Sequence, residues 1–389
     1  MPQVVVIGAG VFGTWTAHHL RAAGCDVMLI DAYGPANPRA SSSDQSRILR
    51  CGYGTDEIYS EFARRSIRQW RALQERTSMP IWHPCGVLLL ADAADPYAIA
   101  TRETLERGEY RVEVLESERL RERYPHLEAS DTSLALLEPD CGVLLARRAV
   151  RALTQELVRS GVRLVRAKAA VREASGRLGS IELAGSSALG GDSFVFGALG
   201  GDAFVFACGP WLPSVLAPSL SRLIRPTRQT VVYFGTPWGD DRFGHAHSPA
   251  WIDRPSGIYG VPEIEDNGLK VGIDEHGPPI DPDTEDRTPT ADAIARARAW
   301  VERRFPAMKG APVIGTRICQ YENTSNGDLL IDRHPDYDNV WVVGGGSGHG
   351  FKHGPVVGEL AARLVLTGAQ THPRLSFASK GTNAARTVY

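Results

Sequence analysis

Val4-Val5-Val6-Ile7-Gly8-Ala9-Gly10-Val11-Phe12-Gly13-Thr14 is the stretch on which the reading of this chain turns. Four apolar residues in a row predict a buried strand, the Gly8-x-Gly10-x-x-Gly13 run a tight turn, and residues 14–23 a helix, before a second strand over 26–30. Asp31 ends that strand about 20 residues beyond the turn, where an acid accepts hydrogen bonds from a ribose. Gly8 allows the turn, Gly10 lets the backbone approach a pyrophosphate, and Gly13 permits close packing. Val11 and Phe12 complete the cradle, and the helix start supplies N–H donors and a favourable dipole. The expected fold class is α/β, with a Rossmann-like dinucleotide domain. The turn alone does not distinguish NAD from FAD.

Outward from this unit, Phe62, Ile67, Trp70 and Leu73 recur at helical spacing and predict a helix over 57–76. A further helix over 148–160, stopped by Gly161, leads into a strand at 163–165. Residues 188–197 and 198–207 are near copies, each reading as a glycine turn and a short strand. The pair predicts a local duplication that adds a strand, with a surface hairpin as its plain form. The proline-rich stretch 278–289 reads as a loop before a helix at 291–304.

At 389 residues and 43% hydrophobic content the chain can fill two domains. A formal net charge of -2 without charged blocks gives no reason to expect nucleic acid or an anionic membrane as partner. Cys25, Cys51, Cys85, Cys141, Cys208 and Cys319 are scattered without a CxxC pair, so no disulfide framework and no metal site is expected. No leader pattern precedes the glycine turn, and no run approaches membrane-span length. The expectation is a cytoplasmic monomer acting on a small molecule. Lysine is scarce: Lys168, Lys270, Lys309, Lys352 and Lys380 are the only ones among 43 Lys plus Arg. A lysine within a motif is therefore informative.

Several later motifs decide between the dinucleotides. Ser46-Arg47-Ile48-Leu49-Arg50, Cys208-Gly209-Pro210-Trp211, Tyr259-Gly260-Val261-Pro262, Gly268-Leu269-Lys270, Arg317-Ile318-Cys319-Gln320-Tyr321 and Gly348-His349-Gly350-Phe351-Lys352 follow one another along the chain. In order and spacing, from residue 4 to about 366, the series resembles the monomeric sarcosine oxidase family. These are D-amino-acid-oxidase-like flavoproteins that include N-methyltryptophan and pipecolate oxidases.

The resemblance implies FAD as cofactor, attached through a thioether at Cys319. Taken by itself, Cys319 is equally a buried free thiol, although the nearby Arg317 would favour a thiolate. Lys270, in an apolar strand, is implied to activate oxygen; otherwise it is an edge-strand lysine reaching for water. Arg50 and Lys352 are implied to bind the substrate carboxylate, a planar fork beside a point charge, against a plain surface ion pair. Tyr259 and Tyr321 are implied to face the substrate, with core packing the alternative. Ser43, Ser46, Arg47, Val171, Gly209, Trp211, Gly348, His349, Gly350 and Phe351 join the expected cofactor contacts. Two positions depart from the family: Asp274 stands where a histidine is usual, and Trp251 near a smaller apolar residue.

An FAD domain over 1–80, 150–225 and 319–389 is expected, with an antiparallel substrate domain over 81–149 and 226–318. The implied reaction oxidises the C–N bond of an amino acid or N-alkyl amino acid to an imine and passes the electrons to oxygen, giving peroxide. A dehydrogenase feeding a quinone or carrier, and a flavin-binding assembly protein without turnover, are the other readings. At Asp274 two placements stand open: facing a positive group of the substrate, or pairing outward with a surface arginine.

Overall fold

The computed structural model describes residues 1–172, 175–188 and 197–381, without the side chains of 186–188. Alternation along Gln3–Ile7 sends Val4 and Val6 to one face of a sheet and Val5 and Ile7 to the other, and both faces are buried. That strand sits inside an eight-stranded sheet. Arg163–Ala170, Asp26–Asp31, Gln3–Ile7, Ala203–Phe206 and Val340–Gly344 run parallel in that order. Antiparallel strands close both edges: Ser180–Ala188 with Gly197–Gly200, and Leu330–Arg333.

The second copy of the duplicated segment is not the surface hairpin expected from sequence. Ala203–Phe206 is a central parallel strand, paired with Gln3–Ile7 and Val340–Gly344 and buried at all four residues. An unbroken apolar run belongs to a strand covered on both faces, and Ala-Phe-Val-Phe is such a run. The first copy lies mostly at 189–196, outside the described residues.

A second eight-stranded sheet, antiparallel except where Val87–Ala91 runs beside Ala250–Asp253, carries the remaining long strands. Its far face packs Val232, Phe234, Trp251 and Val271 against Trp300 and Val301 of the helix Ala291–Arg304. Val313–Thr324 pairs along its length with Ile224–Phe234 in this sheet, so one strand runs through position 319. A small sheet of Arg47–Leu49, Gly142–Leu144 and Trp82–His83 lies beside them. Among the described residues, no helix is long and apolar enough to cross a membrane.

The helices Val11–Ala22 and Gly354–Thr367 cover the first sheet and touch through Gly358, where a Cβ would sit 2.4 Å from the Trp15 carbonyl carbon. Backbone on both sides leaves nothing flexible to yield. Gly358→Ala is therefore expected to destabilise the protein by about 1–3 kcal/mol through overpacking, read as a lower urea midpoint. An unchanged midpoint would contradict this close crossing.

Candidate active site

Two cavities meet between the sheets and share Arg47, Tyr321, Gly348 and Phe351 in their walls. The first, about 1130 Å³, follows the C-terminal ends of the parallel strands, where open α/β sheets bind ligands. Gly8, Gly10, Val11, Phe12, Asp31, Gly209, Trp211 and Gly350 line it. At Gly8, with φ +106, a Cβ would lie 2.3 Å from the Ala207 carbonyl oxygen. Gly13 sits beneath the turn, where a Cβ would meet Gly8 O at 1.8 Å. Asp31 accepts from the amides of Ala9 at 2.8 Å and Tyr33 at 2.9 Å. Burial nevertheless pushes its carboxyl up, those amides opposing.

Glu322 stands on the same wall, and its Oε2 is buried without a hydrogen-bond partner among the described residues. Burial pushes this carboxyl up to about 7 against the pull of the Gly345 and Gly346 amides. Asp283 reaches in from the proline-rich loop. It accepts from Trp211 Nε1 at 2.8 Å and Lys168 Nζ at 3.1 Å, and also from the Tyr33 hydroxyl.

The second cavity, about 1110 Å³, opens against the near face of the second sheet. Side-chain alternation along Leu269–Ile273 and one residue beyond puts Lys270, Gly272 and Asp274 on that face. The Tyr259 ring lies across Gly272, where a Cβ would meet its Cζ at 2.3 Å. Cys319 and Tyr321 come from Val313–Thr324, one strand further on across Ile224–Phe234, and the Tyr321 hydroxyl donates to Asp274 Oδ1 at 2.9 Å. Asp274 thus lines the cavity rather than meeting a surface arginine.

Opposite stand Arg50 and Lys352. The Arg50 guanidinium lies 4.3 Å from the centre of the Tyr53 ring and donates to the Tyr97 hydroxyl at 3.1 Å. Lys352 Nζ donates to Tyr53 Oη at 2.8 Å, which also meets His353 Nε2 at 2.8 Å. Burial, with Arg50 adding, drives the Lys352 ammonium well below its usual range. His349 is likewise lowered to about 3 by burial, then by Lys352, so it is neutral. Glu138 fixes the segment after Arg50 by accepting from the amides of Cys51 at 2.6 Å and Gly52 at 3.1 Å.

Lys270 is neither at an edge nor reaching for water. It is 1% exposed, and its Nζ donates to Asp44 Oδ2 at 2.6 Å and to Ser46 O at 2.7 Å. Arg47 donates to the same Asp44 oxygen at 2.7 Å, and the Tyr233 hydroxyl to Oδ1 at 2.6 Å. Burial would raise the Asp44 carboxyl, but Lys270 and Arg47 outweigh it and hold it far below the ordinary range. Among the described residues, Lys270, Ser43, Ser46 and Val171 line neither cavity.

The FAD dependent oxidoreductase (DAO) family model matches residues 3–364. The chain belongs to this family. It is 30% identical over 379 residues to a monomeric sarcosine oxidase of Bacillus sp. (strain NS-129), covering 95% of this chain and 94% of that protein. With the N-methyl-L-tryptophan oxidase of Salmonella arizonae it shares 28% over 375 residues, 94% of each. Its fold matches that of the L-proline dehydrogenase of P. horikoshii, with a TM-score of 0.79 at 22% identity over 96% and 95% of the two chains.

FAD is accordingly the cofactor, and the residues fit it. The long cavity offers a helix start, the acid Asp31 and, along its wall, a carboxyl with one buried oxygen left without a hydrogen-bond partner among the described residues. Trp251, where the family has a smaller apolar residue nearby, is buried on the far face, its ring centre 5.6 Å from that of Trp300. One reading from sequence needs correction. Arg317 is exposed and is not the cation at Cys319. Burial pushes that thiol up, Asp44 adding and Arg47 and Lys270 opposing.

Asp44, Tyr53, Glu138 and Asp283 are the residues sequence reasoning missed. An acid in the small-residue run Ser41-Ser42-Ser43-Asp44, and a tyrosine between Gly52 and Gly54, were the available signals. Asp44→Asn leaves two buried cations uncompensated and is expected to cost about 3–5 kcal/mol. A denaturant midpoint close to that of the parent would show that Asp44 does not anchor them.

Proposed function

We propose that the protein oxidises the C–N bond of an amino acid or N-alkyl amino acid to an imine, with oxygen as acceptor and peroxide as product. The observation that carries this reading is the pair Arg50 and Lys352 on the wall of a cavity that adjoins the FAD cavity. Bound FAD supplies the acceptor for the hydride that leaves the carbon next to nitrogen.

The chain binds and orients. Arg50, 4.3 Å from the centre of the Tyr53 ring, offers a planar fork to a carboxylate, and Lys352, 5.1 Å from the same centre, adds a point charge. Arg50 and Lys352 crowd together in a buried site, each cation disfavouring the other, and a substrate carboxylate bound to both offsets that repulsion. The relatives named for sarcosine and N-methyl-L-tryptophan support an N-alkyl amino acid.

Lys270 is assigned to the oxygen half of the reaction, as a fixed cation aimed at a developing anion. Asp44 keeps it protonated against burial, since burial lowers the ammonium and Asp44 raises it. Cys319, on the cavity wall, is assigned as the covalent attachment point. Residues 1–80, 150–225 and 319–389 would form the FAD-binding part, and 81–149 with 226–318 the substrate-binding part.

A panel of amines and amino acids with peroxide detection tests the reaction. Arg50→Ala and Lys352→Ala are expected to weaken binding of the best amino acid by about 10- to 150-fold, the equivalent of roughly 1.5–3 kcal/mol, while carboxylate-free amines lose little. A best substrate without a carboxylate would remove this assignment. For Cys319, acid precipitation should leave the yellow colour with the protein, and Cys319→Ala should release it. Flavin found wholly in the supernatant of the parent would show non-covalent binding.

A further inference from the structure

Three buried aspartates of this protein are each paired with a cation, and a half-buried one on the cavity wall is not. Asp44, Asp253 and Asp328 each hold a cation, at 2.6 Å from Lys270, 3.0 Å from Arg304 and 2.7 Å from Arg374. Asp274 differs: among the described residues it has no ion pair, and its hydrogen-bond donor is the neutral Tyr321 hydroxyl at 2.9 Å. It lines the same cavity as Arg50 and Lys352, and both cations act on its carboxyl. An amino acid whose carboxylate lies on those two cations carries its nitrogen within the same cavity. The substrate's ammonium is the partner this carboxylate lacks.

We propose that Asp274 is a catalytic base that accepts the proton of the bound substrate's ammonium, so that the substrate enters as a zwitterion and reacts as a neutral amine. The inference rests on the amine-oxidising reading above. Loss of hydride from the carbon next to nitrogen forms C=N only if nitrogen has a free electron pair, and an ammonium has none. In the transfer an N–H bond breaks, an O–H bond forms on Asp274, and the electron pair stays on nitrogen. The proton leaves to solvent through the cavity mouth once the product has gone.

The surroundings suit that task. Burial pushes the Asp274 carboxyl up to about 7, while the Tyr321 hydrogen bond, Arg50 and Lys352 hold it from rising further. A base poised near neutrality both accepts and releases a proton readily. Tyr259 from the adjoining strand faces the same carboxylate, and burial pushes its phenol far above the working range, so it stays neutral. On its own segment, Glu275 is turned to Arg296 at 2.5 Å, and the next residue, His276, is lowered by burial. The sign follows: above about pH 7 Asp274 is anionic and attracts the ammonium, and below it the neutral carboxyl does not. KM should therefore rise as pH falls below that value.

The test is anaerobic reduction of the bound flavin by saturating substrate, followed by its bleaching, with the best amino acid of the panel, in parent and Asp274→Asn. The parent's limiting rate should change less than about 3-fold between about pH 6.5 and 9, because the proton is passed within the complex. In Asp274→Asn the bound ammonium must lose its proton to solvent. The rate should then rise about tenfold per pH unit, starting roughly 100-fold below the parent at pH 7 and converging with it near the amine's own pKa. Asp274→Glu should restore much of the flat profile. Binding of propionate, read as a shift of flavin absorbance, should stay within about 3-fold of the parent, since Arg50 and Lys352 are intact. A variant that keeps the flat profile, or that is slowed equally at every pH, overturns the proposal and leaves the functional reading standing. A parent flavin bleached by no amine overturns both.

Discussion

A carboxylate with no access to water must be matched by positive charge, and in this protein that requirement fastens the segment around Asp44 to the second sheet. Asp44 receives Arg47 from its own segment, Lys270 from an interior strand of the second sheet, and the Tyr233 hydroxyl from the strand beside it. Each of the two cations would be unfavourable without it. Its position therefore sets how the segment leading to Arg50 lies against the face that carries Tyr259, Asp274 and Cys319. Both cavities share Arg47, so the same ion group stands at the junction of cofactor and substrate spaces.

Around that junction the chain uses neutral partners where change is required and charged ones where it is not. Asp253, locked by Arg304 and Trp300 Nε1, is structural. Glu138 is held by backbone amides and fixes the course of residues 51 and 52. Tyr53 gathers Arg50, Lys352 and His353 on one ring, which restricts how those side chains can move.

What could be read from sequence was local, or marked by unusual residue types. The glycine turn and Asp31 follow from spacing within one strand–helix–strand unit, and the structure repeats them closely. Lys270 stood out because lysine is scarce and its neighbours apolar. Its partner did not, because Asp44 lies 226 residues away and only strand pairing brings the two together. Arg317 was misread because strand alternation decides which face a side chain takes, and the register of that strand is set by a partner remote in sequence. The duplicated segment was misjudged because its strand is a buried central one, and a short apolar run carries no mark of where in a sheet it belongs.

Asp283 has a wider consequence. It belongs to the loop before the helix that backs the second sheet, yet its hydrogen bonds go to Tyr33, Trp211 and Lys168 beside the long cavity. A hinge motion that carried the second sheet away from the first would have to break that three-donor latch as well as the ion group at Asp44. Any such motion would disturb the lining of the long cavity together with that of the substrate space, so neither could open by this route without the other.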